Sequence, residues 1–139
     1  MQRKQGFTLI ELMLVIVIVG SLAAMVVPRL TSRLKGSQTE IARADIKGNL
    51  ALALRLYAVD HNGNYPSTAQ GLQALLTKPA SSSVSENWKG PYLEQPPVDP
   101  WKQPYVYQYP GSHPPYEYDL YSLGPDGEKS DDDITNWQQ

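Results

Sequence analysis

The 139-residue chain carries 12 basic and 14 acidic side chains, no cysteine, and a net charge of −2. That length accommodates one small domain with an N-terminal appendage; the missing cysteines exclude a disulfide framework, and the near balance of charge argues against general attraction to nucleic acid. The charge is unevenly placed: six basic residues stand against Glu40 and Asp45 between Arg29 and Arg55, and seven acids against Lys129 alone between Glu117 and Asp133.

The chain opens with a polar leader that contains Arg3 and Lys4 and ends at Gly6. Phe7-Thr8-Leu9-Ile10-Glu11 comes next, then an apolar run with no charge until Arg29. A secretory signal peptide would place its cleavage site after the apolar stretch. Here the cleavage-like junction, Gly6-Phe7, comes first, so processing keeps the apolar helix. The run is about long enough to cross a hydrocarbon core, and the basic leader predicts a cytoplasmic N-terminus with the rest facing outward. A plain single-span anchor accounts for all of this except Glu11. A carboxylate costs roughly 2.5–3.5 kcal/mol at the centre of a spanning helix, so it needs a partner or a function. Cleavage before Phe7 would create a cation at the same depth. Paired within one chain it only neutralises Glu11; paired with a neighbour it sets the stagger between subunits. Gly20 and Pro28 punctuate the helix; an ordinary bend and a segment that melts on leaving the bilayer both remain open.

Residues 1–11, Met-Gln-Arg-Lys-Gln-Gly-Phe-Thr-Leu-Ile-Glu, resemble the class III leader of type IV pilins and type II secretion pseudopilins. The resemblance implies cleavage after Gly6 by a membrane-bound prepilin peptidase, N-methylation of Phe7, and pairing of Glu11 with an adjoining subunit during assembly.

Beyond Pro28 the helical period continues through Leu30, Leu34 and Ile41. Ile46, Leu50, Ala53, Leu54 and Tyr57 then mark an amphipathic helix with a basic polar face, expected to end near Val59. Asp60 to Pro66 is a dense turn signal. Ser67 to Gln70 has capping spacing, with Leu72, Leu75 and Leu76 on one face of a short second helix that Lys78-Pro79 stops. Ala80 to Glu86 is a serine-rich loop. From Lys89 onward lie seven of the nine tyrosines, and Tyr105 to Tyr109 and Tyr116 to Leu120 alternate as strands. Tyrosine on a small sheet against a helix is core and rim before it is a binding surface. His61 and His113 sit in turns without a companion histidine or cysteine, and Glu117 with Asp119 needs no more than solvent.

Tyr57-Ala58-Val59-Asp60, Gly63-Asn64-Tyr65-Pro66, Gln70-Gly71-Leu72, Asp99-Pro100-Trp101, Pro104-Tyr105, Tyr118-Asp119-Leu120 and Leu123-Gly124 resemble the major pseudopilin family of type II secretion, general secretion pathway protein G. The implied fold is α+β and pilin-like: a long N-terminal helix, half membrane and half amphipathic, packed on a small C-terminal antiparallel sheet with a calcium loop. The expected division is 1–6 leader, 7–28 transmembrane and assembly helix, and 29–139 periplasmic domain, the last comprising 29–59 helix, 60–98 helix-loop region and 99–139 sheet with acidic loop.

Asp126, Asp131, Asp132 and Asp133 crowd one loop shaped by Gly124, Pro125 and Gly127. A solvated acidic loop explains this; so does a hard cation, since calcium takes six to eight oxygens at roughly 2.3–2.6 Å. The loop is not an EF-hand, because position six from Asp126 is Asp131 and position twelve is Trp137. The family resemblance implies calcium, with side-chain ligands Asp126, Asp131 and Asp133, main-chain ligands Leu123 and Ser130, and Asp132 facing outward. It also implies a structural role without enzymatic activity. The subunit would be held in the inner membrane, then polymerise into a periplasmic pseudopilus with an inner-membrane assembly platform and minor pseudopilins. That filament would help push folded exoproteins through an outer-membrane secretin, with no nucleic acid involved. A type IV pilin for adhesion, motility or DNA uptake, and a membrane-tethered calcium-dependent binding module, are the alternatives.

Overall fold

The computed structural model describes residues 6–80 and 86–138, apart from the side chains of 28–34. The expectations for Arg3 and Lys4, for the side chains of Pro28, Leu30 and Leu34, and for residues 81–85 of the serine-rich loop lie outside the described residues. The chain divides into two compact units, 1–37 and 38–139, and helix α1, Leu9–Ala44, contributes to each. In the first unit α1 is helical through Gly20 and position 28, so any melting there on assembly starts from a formed helix.

The second unit begins with the last turns of α1, continues through a single π-helical turn at Asp45–Asn49, and resumes as α2, Leu50–Asp60. The buried residues explain the irregular turn. Ala42, Ile46, Leu50, Leu54 and Ala58, all under 9 % exposed, recur every fourth position. Four residues of an α-helix overshoot one revolution by roughly 40°, so such a stripe drifts around the axis. A π turn takes in an extra residue and offsets that drift. The face Ile46, Leu50, Ala53, Leu54 and Tyr57 is buried as its spacing predicts, but Ile41 is 51 % exposed and Ala42 takes its place in the core. The helix ends at Asp60. Asn62 (φ 56°) and Gly63 (φ 86°) turn left-handed, and the Gly63 amide donates to the Ala58 carbonyl at 2.7 Å, the bond of a glycine-type helix end. His61 is buried there, its Nδ1 2.7 Å from the Tyr57 carbonyl and its ring stacked on Tyr57.

Ser67 and Gln70 do form a reciprocal cap: the Ser67 amide donates to Gln70 Oε1 at 2.8 Å and the Gln70 amide to Ser67 Oγ at 3.3 Å. The cap opens a short 3₁₀-helix, Gly71–Leu75, rather than an α-helix. Its tighter winding moves the buried face to Ala74 and Leu75 and leaves Leu72 and Leu76 half-buried.

Three short strands complete the unit: β1 (Val106–Gln108), β2 (Asp119–Ser122) and β3 (Ile134–Thr135), an antiparallel meander with Tyr107 opposite Leu120 and Ser122 opposite Ile134. The second strand starts at Asp119 rather than Tyr116, because the preceding segment loops, with the Gly111 amide donating to the Glu117 carbonyl at 2.8 Å. Tyr57, Leu75, Tyr105, Tyr107, Tyr118, Leu120 and Ile134 meet Ile46 and Leu54 in one core. The tyrosine hydroxyls are used internally: Tyr107 donates to the Pro66 carbonyl and Tyr105 to Asp45 Oδ2. Burial pushes the pKa of both phenols up.

Candidate functional site

Gly6, Phe7 and Thr8 precede α1 in non-helical backbone. Thr8 is its N-cap: Thr8 Oγ1 accepts from the Glu11 amide at 3.3 Å, and the Leu12 amide donates to the Thr8 carbonyl at 3.2 Å. Thr8-Leu9-Ile10-Glu11 therefore has the spacing of a capping box, a signal in the sequence from which the cap could have been read. From Leu9 to Val27 the helix offers 19 residues apolar enough to cross a membrane, none buried; at 1.5 Å per residue that is about 28 Å, close to a hydrocarbon core. Phe7 is 81 % exposed, and Leu9 to Val27 expose large side chains on every face. Such a helix needs lipid or other helices around it. Glu11 is exposed within this run and, among the described residues, has no ion-pair partner.

The acidic loop is organised around Ser130. Asp126 Oδ1 accepts from the Glu128 amide at 3.0 Å, and Asp126 Oδ2 from Ser130 Oγ at 3.2 Å. Ser130 Oγ also bonds Asp132 Oδ1, and the Ser130 amide donates to Asp133 Oδ1 at 3.2 Å. The structure thus brings Asp126, Ser130 and Asp133 together. Asp132 is exposed, and its carboxylate lies over Gly124 (φ +69°), where a Cβ would stand 3.1 Å from Asp132 Oδ2. Asp131 makes no hydrogen bond among the described residues; it lines a shallow groove with Arg43 and Thr39. The donors are the hard oxygens calcium takes, but no three acidic or histidine side chains among the described residues are gathered as a metal cluster.

Beneath the loop lies a polar frame that reading of the sequence missed. Asp99, 3 % exposed, accepts at Oδ1 from the amides of Trp101 and Gln103 (3.0 and 2.8 Å) and at Oδ2 from Ser122 Oγ (2.6 Å). Ser122 Oγ in turn accepts from the Gly124 amide at 3.1 Å, so Asp99 sets the point where the acidic loop leaves β2. Leu123, between them, is half-buried. Asp119 is also buried, at 2 % exposure, which corrects its assignment to solvent. Its Oδ2 accepts from the Ser112 amide (3.0 Å), Ser112 Oγ (2.6 Å) and His113 Nδ1 (2.9 Å), and His113 stacks on Trp137 at 3.9 Å. Burial alone would raise the Asp119 carboxyl pKa, but the Ser112 and His113 contacts win and hold it below the ordinary carboxylate range. A carboxyl with a depressed folded pKa stabilises the fold above its unfolded pKa, about 3.9, and loses that contribution as pH falls through the folded value. Asp119→Asn is therefore expected to lower stability by about 2 kcal/mol at neutral pH. In urea titrations its deficit against the wild type should shrink as pH falls below the unfolded carboxyl pKa of about 3.9; a pH-independent deficit would show that the charge is irrelevant.

Together the two units describe an anchored assembly protein: an uncovered apolar helix, entered through a cleavage-like glycine and a capped acidic turn, joined to a small α+β domain. Residues 1–27 match the family model for the prokaryotic N-terminal methylation motif, and residues 29–137 match that for type II secretion system protein G. The type II secretion system core protein G of Pseudomonas aeruginosa is 51 % identical over 99 % of both chains, and that of Escherichia coli K12 is 44 % identical over 97 % of this chain and 92 % of its own. The major pseudopilin of enterohaemorrhagic E. coli, a crystal structure, superposes with a TM-score of 0.67 at 35 % identity, covering 81 % of this chain and 96 % of that one. The chain belongs to the type II secretion system protein G family. It has the pseudopilin fold and is a structural subunit of the secretion machinery rather than an enzyme, which sets aside the adhesive-pilin and tethered-binding-module alternatives.

Proposed function

We propose that the mature chain, beginning at Phe7, is held in the inner membrane by its apolar helix and then leaves the bilayer to become the repeating subunit of a periplasmic pseudopilus. The uncovered helix Leu9–Val27 supports this reading: it is equally suited to lipid before assembly and to sister helices after it. Glu11, near its start, meets the amine of Phe7 from an adjoining subunit and fixes the register of the polymer. A prepilin peptidase, an inner-membrane assembly platform and minor pseudopilins act on or with the subunit. The growing filament moves folded exoproteins through the outer-membrane secretin. Calcium, held by Asp126, Asp131 and Asp133 with the carbonyls of Leu123 and Ser130, would supply positive charge that offsets the repulsion of the loop's carboxylates. Mass spectrometry of the N-terminus tests the route: chain purified from membranes should start at N-methylated Phe7, and chain that keeps Met1 yet still builds filaments would overturn it.

A further inference from the structure

Helix α1 leaves its apolar span through a basic stretch. Leu9–Val27 is apolar enough to cross a membrane, and Arg29, Arg33 and Lys35 follow Val27 by two, six and eight residues. The helix runs through this stretch to Ala44. At 1.5 Å per residue the three positions therefore lie about 3, 9 and 12 Å beyond the hydrocarbon edge. The headgroup layer on each side of a bilayer is about 5–8 Å thick. Arg29 falls inside that layer, and Arg33 and Lys35 lie just past its outer boundary, a gap that long basic side chains near helix ends commonly bridge. Arg29 and Arg33 stand one turn apart on one face of the helix.

The stretch between Glu11 and Glu40 carries these three basic residues and no acidic one. Orientation in the membrane does not account for them. Basic residues orient a span by staying on the cytoplasmic side, yet here three stand on the outward flank against Arg3 and Lys4 in the leader, and cleavage after Gly6 would remove those two. What shares the depth of Arg29 and Arg33 is the phosphate layer of the lipids. A guanidinium pairs with phosphate through two parallel hydrogen bonds, and basic residues beside a span are drawn to anionic lipid. On these grounds, and resting on the membrane-anchored reading above, we infer that Arg29, Arg33 and Lys35 bind the headgroups of anionic phospholipids in the outward-facing leaflet. The contact fixes the depth of the unassembled subunit and is given up when the helix leaves the bilayer. It is chemically independent of Glu11, which lies at the other end of the span.

The test uses the full-length chain in vesicles of equal parts phosphatidylcholine and phosphatidylglycerol. Every sample carries Arg3→Gln and Lys4→Gln, so that the leader adds no basic side chain. Electron paramagnetic resonance of trace spin-labelled phosphatidylglycerol or phosphatidylcholine reports the fraction of each lipid held at the protein. This reference chain is expected to favour phosphatidylglycerol about fivefold, the discrimination of one basic residue at a membrane surface. About 1 M salt, with a Debye length of about 3 Å, should weaken the preference. Adding Arg29→Gln, Arg33→Gln and Lys35→Gln should bring the two lipids to parity while the chain still floats with the vesicles. Arg29→Lys with Arg33→Lys keeps the charge and should keep most of the preference. Millimolar inorganic phosphate should leave it unchanged; displacement would assign the basic row to a free anion and overturn the lipid site. Equal retention of both lipids by the reference chain, or an undiminished preference in the glutamine variant, would also overturn it and leave the membrane anchor standing. A reference chain that fails to float with the vesicles would remove both.

Discussion

Glu11→Val is expected to enter the membrane at least as well as the wild type and to lower filament yield by at least tenfold. The first half follows from transfer energetics: replacing the carboxylate removes roughly 2.5–3.5 kcal/mol of insertion cost at the helix centre, somewhat less near its end. The second half follows from the geometry of the first turn. Thr8 already caps α1 through the Glu11 amide, so the helix starts correctly without the Glu11 side chain, and the variant loses no fold. The loss is confined to the charge that would meet the amine of Phe7 in an adjoining subunit. A tenfold loss corresponds to about 1.4 kcal/mol per subunit contact, modest for a charge pair removed from water. Glu11→Gln separates the two contributions, since it keeps the length and hydrogen-bonding capacity but not the charge. Membrane fractionation and counts of sheared filaments read the outcome. Wild-type yield from Glu11→Val would mean that the Glu11 charge takes no part in assembly.

How far the sequence disclosed this molecule can be traced residue by residue. The apolar run and its leader were legible because a membrane imposes length and charge rules that local reading can apply. The buried face of α2 was legible for the same reason, as periodicity. The π turn was visible only in the fourfold recurrence of Ala42, Ile46, Leu50, Leu54 and Ala58, a pattern that a 3.6-residue template does not seek. The start of β2 and the burial of Asp119 were not legible. They depend on residues 109–118 looping so that Ser112 and His113 return to one carboxylate, a non-local arrangement that alternation along a strand cannot report. The bridging of Asp126 and Asp132 by the one hydroxyl of Ser130 was not legible either, because it depends on the loop's closure and not on any spacing along the chain. The role of Asp99 was not legible, being set by amides up to four residues ahead and by a serine on β2.

Calcium at 10 mM should raise the melting temperature of a fragment beginning at Ser32, and Asp126→Ala should abolish the rise. If the loop binds in the range of extracellular calcium modules, with Kd on the order of 10⁻⁴ M, 10 mM is about a hundredfold excess and adds about 2.7 kcal/mol by mass action. For a folded unit of about a hundred residues that is on the order of 10 °C. Asp126 is the informative position because both its oxygens act inside the loop, one on the Glu128 amide and one on Ser130. Magnesium, which demands octahedral geometry at about 2.0–2.1 Å and sheds water reluctantly, should give much less. Ser130→Ala distinguishes a metal site from a hydrogen-bonded acidic loop. Removing the hydroxyl destabilises the metal-free fragment, since Asp126 and Asp132 lose their common donor, but it leaves the Ser130 carbonyl in place. A calcium ion held through that carbonyl would still raise the melting temperature of Ser130→Ala, and by more than in the wild type, because the unshielded carboxylates gain more from a cation. A wild-type fragment whose melting temperature does not move at 10 mM calcium would assign the loop's order to its hydrogen bonds.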